Sequence, residues 1–326
     1  MLITVKSSAR LHLGFYTISS GTVSYGSIGV AIEKPQVHVT ASESDEIKIR
    51  NATTVEVEED VANVVKWLNV PGVDVYVKKA IPRHVGLGST TQLRLSIAYA
   101  VNLLYNLKMD LHELAYKVRR GWVSGIGIAA FEAGGFIMDT GRPLRDTVLK
   151  PPQGPSDLPK VICRRDFPED WMFVVAVPKG IRGLDEKNER SVLEKPETNE
   201  EIERKLRKIV LLELLPSIAR CDIKEFGRAL TELQFSVGEY FSNYQGGKFC
   251  CEETERIVMC MLENGAYGAG QSSWGPAAYG LVRGTKEAEN LKNAIKRLLM
   301  KRGIRCSIFM TRARNRGFIA RTIENI

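Results

Sequence analysis

Along the first eighty residues, apolar and polar positions alternate over 2–5 and apolar β-branched runs recur at 28–32, 37–40 and 73–77, which predicts strands. The period then changes. From about Thr90, the residues Leu93, Ile97, Ala100, Val101 and Leu104 recur at helical spacing, and Asp110 with Glu113 three residues on predicts the capped start of a second, shorter helix. The first half therefore reads as mixed α/β. Six of the 13 prolines (Pro143, Pro151, Pro152, Pro155, Pro159 and Pro168) fall within residues 143–168, where missing backbone donors disfavour both helix interiors and central strands. That stretch is expected to join two domains, 1–155 and 156–326. Beyond it, a β-rich run at 171–177 ends at Pro178 and Gly180, and the charged stretch 186–203 is expected to be a loop entering a helix. Helices are predicted near 200–220, 223–241, 252–264 and 286–302, the last carrying the stripe Leu291, Ile295, Leu298 and Leu299, with strands at 278–282 and 305–310. The second half is α+β.

A chain of 326 residues exceeds most single cores, in keeping with two domains. No run approaches the ~20 apolar residues of a membrane span, and residues 2–8 lack the apolar stretch of a signal peptide. A soluble, cytoplasmic protein without a membrane partner is expected. The six cysteines form no C-x-x-C pair and no Cys/His ligand spacing, so neither a disulfide framework nor a zinc site is indicated. The net charge of +8 suits an anionic partner, but the basic residues are spread along the chain, which weakens a nucleic-acid reading.

One segment carries recognisable chemistry. Pro82-Arg83-His84-Val85-Gly86-Leu87-Gly88-Ser89-Thr90-Thr91-Gln92 lies between the strand at 73–77 and the helix from about Thr90. A strand, a glycine turn and a helix N-terminus aim unpaired N–H groups and the positive end of a helix dipole at one point, which suits phosphate. Ser89, Thr90 and Thr91 add hydroxyls for hydrogen bonds or a Mg²⁺ contact, and Ser89 is also the expected helix cap. The Gly-x-x-x-x-Gly-Lys spacing of a Walker A loop is absent.

Pro82-x-x-x-Gly86-Leu87-Gly88-Ser89 resembles the phosphate loop of the GHMP superfamily of small-molecule kinases. The segment 8–14 (SARLHLG) is similar to that superfamily's first motif, and 265–275 (GAYGAGQSSWG) to its third, in the same order. The resemblance implies an α+β fold of two domains, an N-terminal α/β domain and a C-terminal ferredoxin-like one, with the ligand between them and a homodimer as the assembly. Kinases of the superfamily commonly carry an aspartate after a Ser-Gly-Ile triplet, whereas this chain has Gly127 after Ser124-Gly125-Ile126. With Gln92 in place of a small residue and Gln271-Ser272-Ser273-Trp274 in place of a glycine run, the chain resembles instead a branch that joins phosphoribosyl pyrophosphate to 4-hydroxybenzoate or 4-aminobenzoate, releasing CO₂ and pyrophosphate. That chemistry needs no base to deprotonate an alcohol. It does need a polyanion clamp with Mg²⁺.

The resemblance then distributes roles. Arg10 and His12, alternating on one strand, and Glu132 are the expected catalytic groups; His84, Gly86, Leu87, Gly88, Ser89, Thr90, Thr91, Gln92, Gly268, Gly270, Gln271, Ser272 and Ser273 the phosphate and pyrophosphate contacts; Trp274 the platform for the aromatic ring; Ser89 and Glu132 the Mg²⁺ ligands. Arg83 beside the loop and Asp139 near Glu132 are further charged candidates. Arg312, Arg314 and Arg316 alternate as if on one strand face, either as phosphate contacts or as a blunted sheet edge. An ATP-dependent kinase of the same superfamily and a non-catalytic binder that keeps the fold remain as alternatives.

Overall fold

The computed structural model describes residues 1–183 and 191–323. The strand expected at 2–5 runs on to make β1 (Leu2–Ser19), and the runs at 28–32 and 37–40 are one strand, β2 (Val23–Ser42). These strands pair antiparallel as a long hairpin. The sequence splits β2 because Glu33, Lys34 and Pro35 fall in a bulge, between the pairs Ser8↔Gln36 and Arg10↔Ala31, that lifts polar residues off the sheet. With β3 (Ile47–Asn51), β4 (Val73–Lys79) and β12 (Ile319–Ile323) they form a sheet of order β12-β1-β2-β4-β3. The short strands β5 (Phe136–Asp139) and β6 (Arg142–Pro143) add to β2, and β7 (Val161–Arg165) adds to β5. Thus β7, within the proline-rich stretch, and β12, at the far end of the chain, both belong to the first sheet.

The predicted helix α2 (Ser89–Leu104) buries its apolar face against β1 and β2, and helix α1 (Glu58–Leu68) packs on α2 and β3 in the same core. Asp110 caps α3 (Leu111–Lys117) in a reciprocal capping box with Glu113, as the spacing predicts. Helix α4 (Ile126–Glu132) follows.

The second sheet has the order β11-β8-β10-β9, every neighbour antiparallel, from β8 (Trp171–Pro178), β9 (Gly268–Gln271), β10 (Ala278–Arg283) and β11 (Cys306–Arg312). Helices separate β8 from β9 and β10 from β11, which makes two split β-α-β units, the ferredoxin-like arrangement. Alternate residues of β8 face opposite ways. Met172, Val174 and Ala176 pack with the helices Glu252–Glu263 and Gly284–Arg302, whereas Phe173 and Val175 join Phe226, Leu230 and Leu233 of the helix Ile223–Tyr240 in the core shared with the first sheet. The helix expected over 200–220 is three pieces, Glu200–Lys208, a π-helical turn Ile209–Leu214 and Leu215–Ala219. Of the charged stretch 186–203, residues 186–190 lie outside the described residues.

The three C-terminal arginines do not share a strand face. Arg312 ends β11, while Arg314 is buried, its N–H donating to Ala31 O and its guanidinium to Gly317 O. This segment ties the two sheets together through the Ile32–Ala313 bridge. Among the described residues no helix is long and apolar enough to cross a membrane.

Candidate active site

Two glycine loops meet backbone to backbone. Gly86 lies at φ +86°, and a Cβ there would stand 2.0 Å from Ser272 O; a Cβ on Gly275 would stand 2.1 Å from the Val85 carbonyl carbon. Ala277 N donates to Val85 O, and Ser272 Oγ donates to Gly86 O at 2.6 Å while accepting from His12 N at 3.0 Å. Arg10 Nη1 donates to the same Gly86 carbonyl. The phosphate loop, the first-motif strand and the third-motif loop are thus fastened to one another through Gly86 O and Ser272 Oγ.

With that carbonyl held inward, α2 presents its N-terminus to the cleft. Its N-cap is Gly88 in the left-handed region, no side chain caps it, and its first turn carries no acidic residue. The first helical N–H with a backbone acceptor is that of Gln92, to Gly88 O. Ser89 is therefore the first helical residue and not the cap, so the leading N–H groups and the dipole stay available to an anion.

Three contiguous hollows surround this junction, their volumes counted with their open mouths. A phosphate-loop lobe of about 540 Å³ is lined by Arg10, His84, Gly86, Gly88, Ser89, Thr90, Thr91, Arg120, Ser273, Trp274 and Gly275. A basic lobe of about 810 Å³ is lined by Arg10, His12, Thr91, Arg119, Arg120, Ser124 and Gly127. An aromatic lobe of about 430 Å³ is lined by His12, Phe15, Phe241, Phe249 and Trp274, with Gln234, Gln245, Gln271 and Lys248. Ser273, held at φ +55°, lines all three.

The β2 bulge opposite Ser8–Arg10 and a bulge in β1 between His12 and Gly14 flank Arg10 and His12, whose side chains line this space. Burial, with Arg10 as a lesser cause, pulls the His12 imidazole down to about 3, so it is neutral at working pH. In the unfolded chain a histidine takes its proton near pH ~6.5. His12 should therefore cost stability progressively as pH falls below that value toward 3. Replacing His12 with Asn should flatten the acid side of the Tm-against-pH curve; an unchanged curve would refute a buried neutral imidazole.

Several expected groups stand off the cleft, and one that lines it, Gln271, is committed to its own loop. Glu132 is exposed at the end of α4, beside the Gly317 turn, and lines none of the three lobes. Asp139 is buried and accepts from the N–H groups of Ser27 (3.0 Å), Gly125 (2.7 Å) and Gly141 (2.8 Å); burial pushes it up to about 6 against those bonds. It fixes the 124–127 turn. Arg83 turns toward α1, to Asp60 and Glu56 O. Leu87 is core, and Gln92 is buried under the loop, its amide donating to Gly127 O at 2.9 Å. Gly268 and Gly270 let β9 lie against the helix Ile223–Tyr240, since a Cβ would strike Gly227 O at 2.3 Å or Gln234 Cγ at 2.4 Å. Gln271 spends its side chain on Cys250 N–H and Ser273 O, and Ser272 is fully buried. Among the described residues no three His, Cys, Asp or Glu side chains gather as a metal site.

Two cleft residues escaped the sequence reading. The chain turns at Arg119 (φ +59°) after α3, stacking it over the Trp67 ring at 4.9 Å and delivering Arg120 to Thr91 Oγ1 at 3.0 Å. No motif marks them. At the position where the resemblance leads one to expect an aspartate, a Cβ on Gly127 would stand 3.0 Å from Thr91 Cγ2, so Thr91, to which Arg120 donates, crowds any side chain there.

A two-domain α+β fold closed by a ferredoxin-like half, with its helix N-terminus and two glycine loops converging on one cleft, defines the GHMP class. The GHMP kinases N terminal domain model matches residues 53–135 and the GHMP kinases C terminal model residues 214–299. Among solved structures, homoserine kinase from Cytophaga hutchinsonii aligns with a TM-score of 0.70 at 18% identity, over 98% of this chain and 97% of that one. Mevalonate kinase from L. major aligns with a TM-score of 0.63 at 13% identity, over 94% of each. Sequence similarity is closer to another branch: the beta-ribofuranosylphenol 5'-phosphate synthase of Methanothermobacter thermautotrophicus is 31% identical over 97% of both chains, and that of Methanocaldococcus jannaschii 30% over 96% of this chain and 98% of that one. The chain belongs to this beta-ribofuranosylphenol 5'-phosphate synthase family within the GHMP superfamily.

Proposed function

We infer that the protein is a pentosyltransferase that joins phosphoribosyl pyrophosphate to 4-hydroxybenzoate, giving a C-riboside 5'-phosphate, CO₂ and pyrophosphate. The observation that carries this reading is the joining of an anion-binding lobe, a basic lobe and an aromatic lobe at Ser273. One polyanionic sugar and one aromatic ring fill such a cleft. The relatives' name specifies a ribofuranosylphenol, the product expected when the ring carries a 4-hydroxyl; a 4-amino ring is the second acceptor to test.

In this reading the pyrophosphate lies on the N-terminus of α2 and the ribose 5-phosphate among Arg10, Arg119 and Arg120. The bond from C1′ to pyrophosphate breaks, and the oxocarbenium-like carbon is captured by the ring carbon that bears the carboxylate. The ring-to-carboxylate bond then breaks, its electron pair restores aromaticity, and no proton has to be removed. That ring carbon must reach C1′, so the carboxylate faces the His12–Ser273 junction and the 4-hydroxyl points toward Gln245 and Lys248. A neutral His12 does not hold the departing carboxylate as an ion pair. Gly127 follows from the same chemistry: with no attacking alcohol to deprotonate, the aspartate of the kinases has no task.

Mg²⁺ is proposed as the partner of the pyrophosphate, and the Ser89 and Thr90 hydroxyls, which line the phosphate-loop lobe, would help to hold it. When bound, it neutralises charge on the leaving group. We also propose that the protein is cytoplasmic and homodimeric. Carboxyl-labelled 4-hydroxybenzoate, incubated with phosphoribosyl pyrophosphate and Mg²⁺, should release labelled CO₂ in step with pyrophosphate. Pyrophosphate without CO₂ would reject the decarboxylating reaction, and ADP formation from ATP with homoserine or mevalonate would favour a kinase.

A further inference from the structure

Beside the aromatic lobe lies a feature that the transfer reaction does not use. Cys250 and Cys251 are adjacent in sequence, with their sulfurs 3.7 Å apart. Thr254 Oγ1 donates to Pro276 O at 3.0 Å and lies 3.5 Å from Cys250 Sγ and 3.1 Å from Cys251 Sγ, while the Cys250 thiol donates to Cys251 Sγ. One threonine thus holds two thiols side by side, and both are partly accessible.

The pair is mechanically connected to the cleft. Lys248 and Phe249, immediately before it, line the aromatic lobe. Cys250 N–H donates to Gln271 Oε1 at 2.7 Å, and Gln271 Nε2 donates to Ser273 O at 2.7 Å, the residue common to all three lobes.

We propose that Cys250 and Cys251 form a dithiol exchange site for small disulfides, whose oxidation to a vicinal disulfide distorts the aromatic lobe. In the first step a Cys251 thiolate attacks one sulfur of the external disulfide, forming a mixed disulfide and expelling one thiol. Deprotonated Cys250 then attacks the Cys251 sulfur, forming the Cys250–Cys251 bond and expelling the second thiol. Two electrons and two protons pass from the pair to the external disulfide. Cys251 is suited to go first: the hydrogen bond from Cys250, with that from the Thr254 backbone N–H, pulls its thiol below the usual range, whereas Cys250 is pushed up.

Geometry makes the product act on the site. The sulfurs must close from 3.7 Å to about 2.05 Å. Neighbouring Cα atoms are about 3.8 Å apart across a trans peptide, less than the ~4.4 Å at which ordinary disulfides begin. Ring closure therefore twists the 250–251 link, displacing the Cys250 N–H from Gln271 and the adjoining Phe249 from the lobe wall. The same strain makes the bond easy to reduce, hence reversible.

The effect on activity rests on the transferase reading, but the chemistry of the pair does not, and the test separates the two. The full-length protein is treated with oxidised glutathione and mapped by mass spectrometry, and its Trp274 emission is compared with that of a Trp274→Phe variant. Loss of two hydrogens in the peptide spanning 250–251, a Trp274-dependent emission change and full reversal by dithiothreitol are expected. Cys250→Ser and Cys251→Ser should instead stop at a mixed disulfide or not react, and should retain basal activity. In the transfer assay, oxidation should raise the KM for 4-hydroxybenzoate at least about tenfold, a loss of ~1.4 kcal/mol of apparent binding, with that for phosphoribosyl pyrophosphate unchanged. A glutathione adduct without the 250–251 disulfide would overturn the proposal. So would a disulfide that moves neither Trp274 emission nor the benzoate KM. If the reduced protein releases no labelled CO₂, the transferase reading fails, and mass mapping and Trp274 emission decide the dithiol site alone.

Discussion

Replacing Gly86 with alanine is expected to lower kcat/KM at least about 100-fold while the protein remains folded. Two costs coincide at this residue. A side chain at φ +86° is strained by about 1–3 kcal/mol. Its Cβ would also lie 2.0 Å from Ser272 O, which belongs to the backbone of the opposing loop and cannot swing away as a side-chain tip can. Relief requires the loops to part, breaking the Ser272 and Arg10 hydrogen bonds to Gly86 O and widening the phosphate-loop lobe against the aromatic lobe. Each tenfold loss in kcat/KM corresponds to about 1.4 kcal/mol, so a few kcal/mol of misplacement produces the stated effect. Gly265 supplies the control, with φ +89° and nothing within 4 Å of a new Cβ. Gly265→Ala should cost about 1–2 kcal/mol of stability and leave kcat/KM within about twofold. Thermal melts and steady-state kinetics on both variants separate backbone strain from loop contact; equal kinetic losses at the two positions would refute the interlock.

Periodicity exposed the long elements and missed what bulges interrupt. Helices α2 and α3 and those near 223–240, 252–263 and 284–302 fall where apolar spacing and the Asp110 cap place them. The continuity of β2 was hidden because Glu33, Lys34 and Pro35 are polar or strand-breaking and sit in a bulge that no local rule marks. Strand β12 is equally silent, since its place beside β1 depends on a pairing across more than three hundred residues.

At the site, the glycine motifs announced a phosphate loop but not which glycines serve it. Gly86 and Gly88 carry positive φ beside the cleft, whereas Gly268 and Gly270 serve helix packing, and the four look alike in sequence. The expectation of Ser89 as cap failed because Gly88, already left-handed, takes the N-cap position and leaves the helix end open. Charge was the least readable feature. Arg83, next to the loop in sequence, spends itself on Asp60 and Glu56, while Arg120, some thirty residues on, reaches the loop through a turn that only tertiary structure creates.

For this reason Arg120 carries the second large expected effect. Replacement by methionine, which keeps the length and removes the charge, should lower kcat/KM for phosphoribosyl pyrophosphate by about 10–100-fold, since hydrogen bonds to charged groups contribute about 1.5–3 kcal/mol. Arg120 lines both the phosphate-loop and the basic lobes and is fixed on Thr91, so the loss should fall on the sugar substrate and leave the benzoate KM within about twofold. How it divides tells where the charge acts. A contact made equally in ground and transition states raises KM alone, whereas one that strengthens as the pyrophosphate departs lowers kcat. Because the guanidinium bridges two lobes, both parameters should change, and Arg120→Lys should recover KM more than kcat: an ammonium keeps the charge without the planar fork. A shift confined to the benzoate KM would remove Arg120 from the polyanion site and, with it, the assignment of the basic lobe to the ribose phosphate.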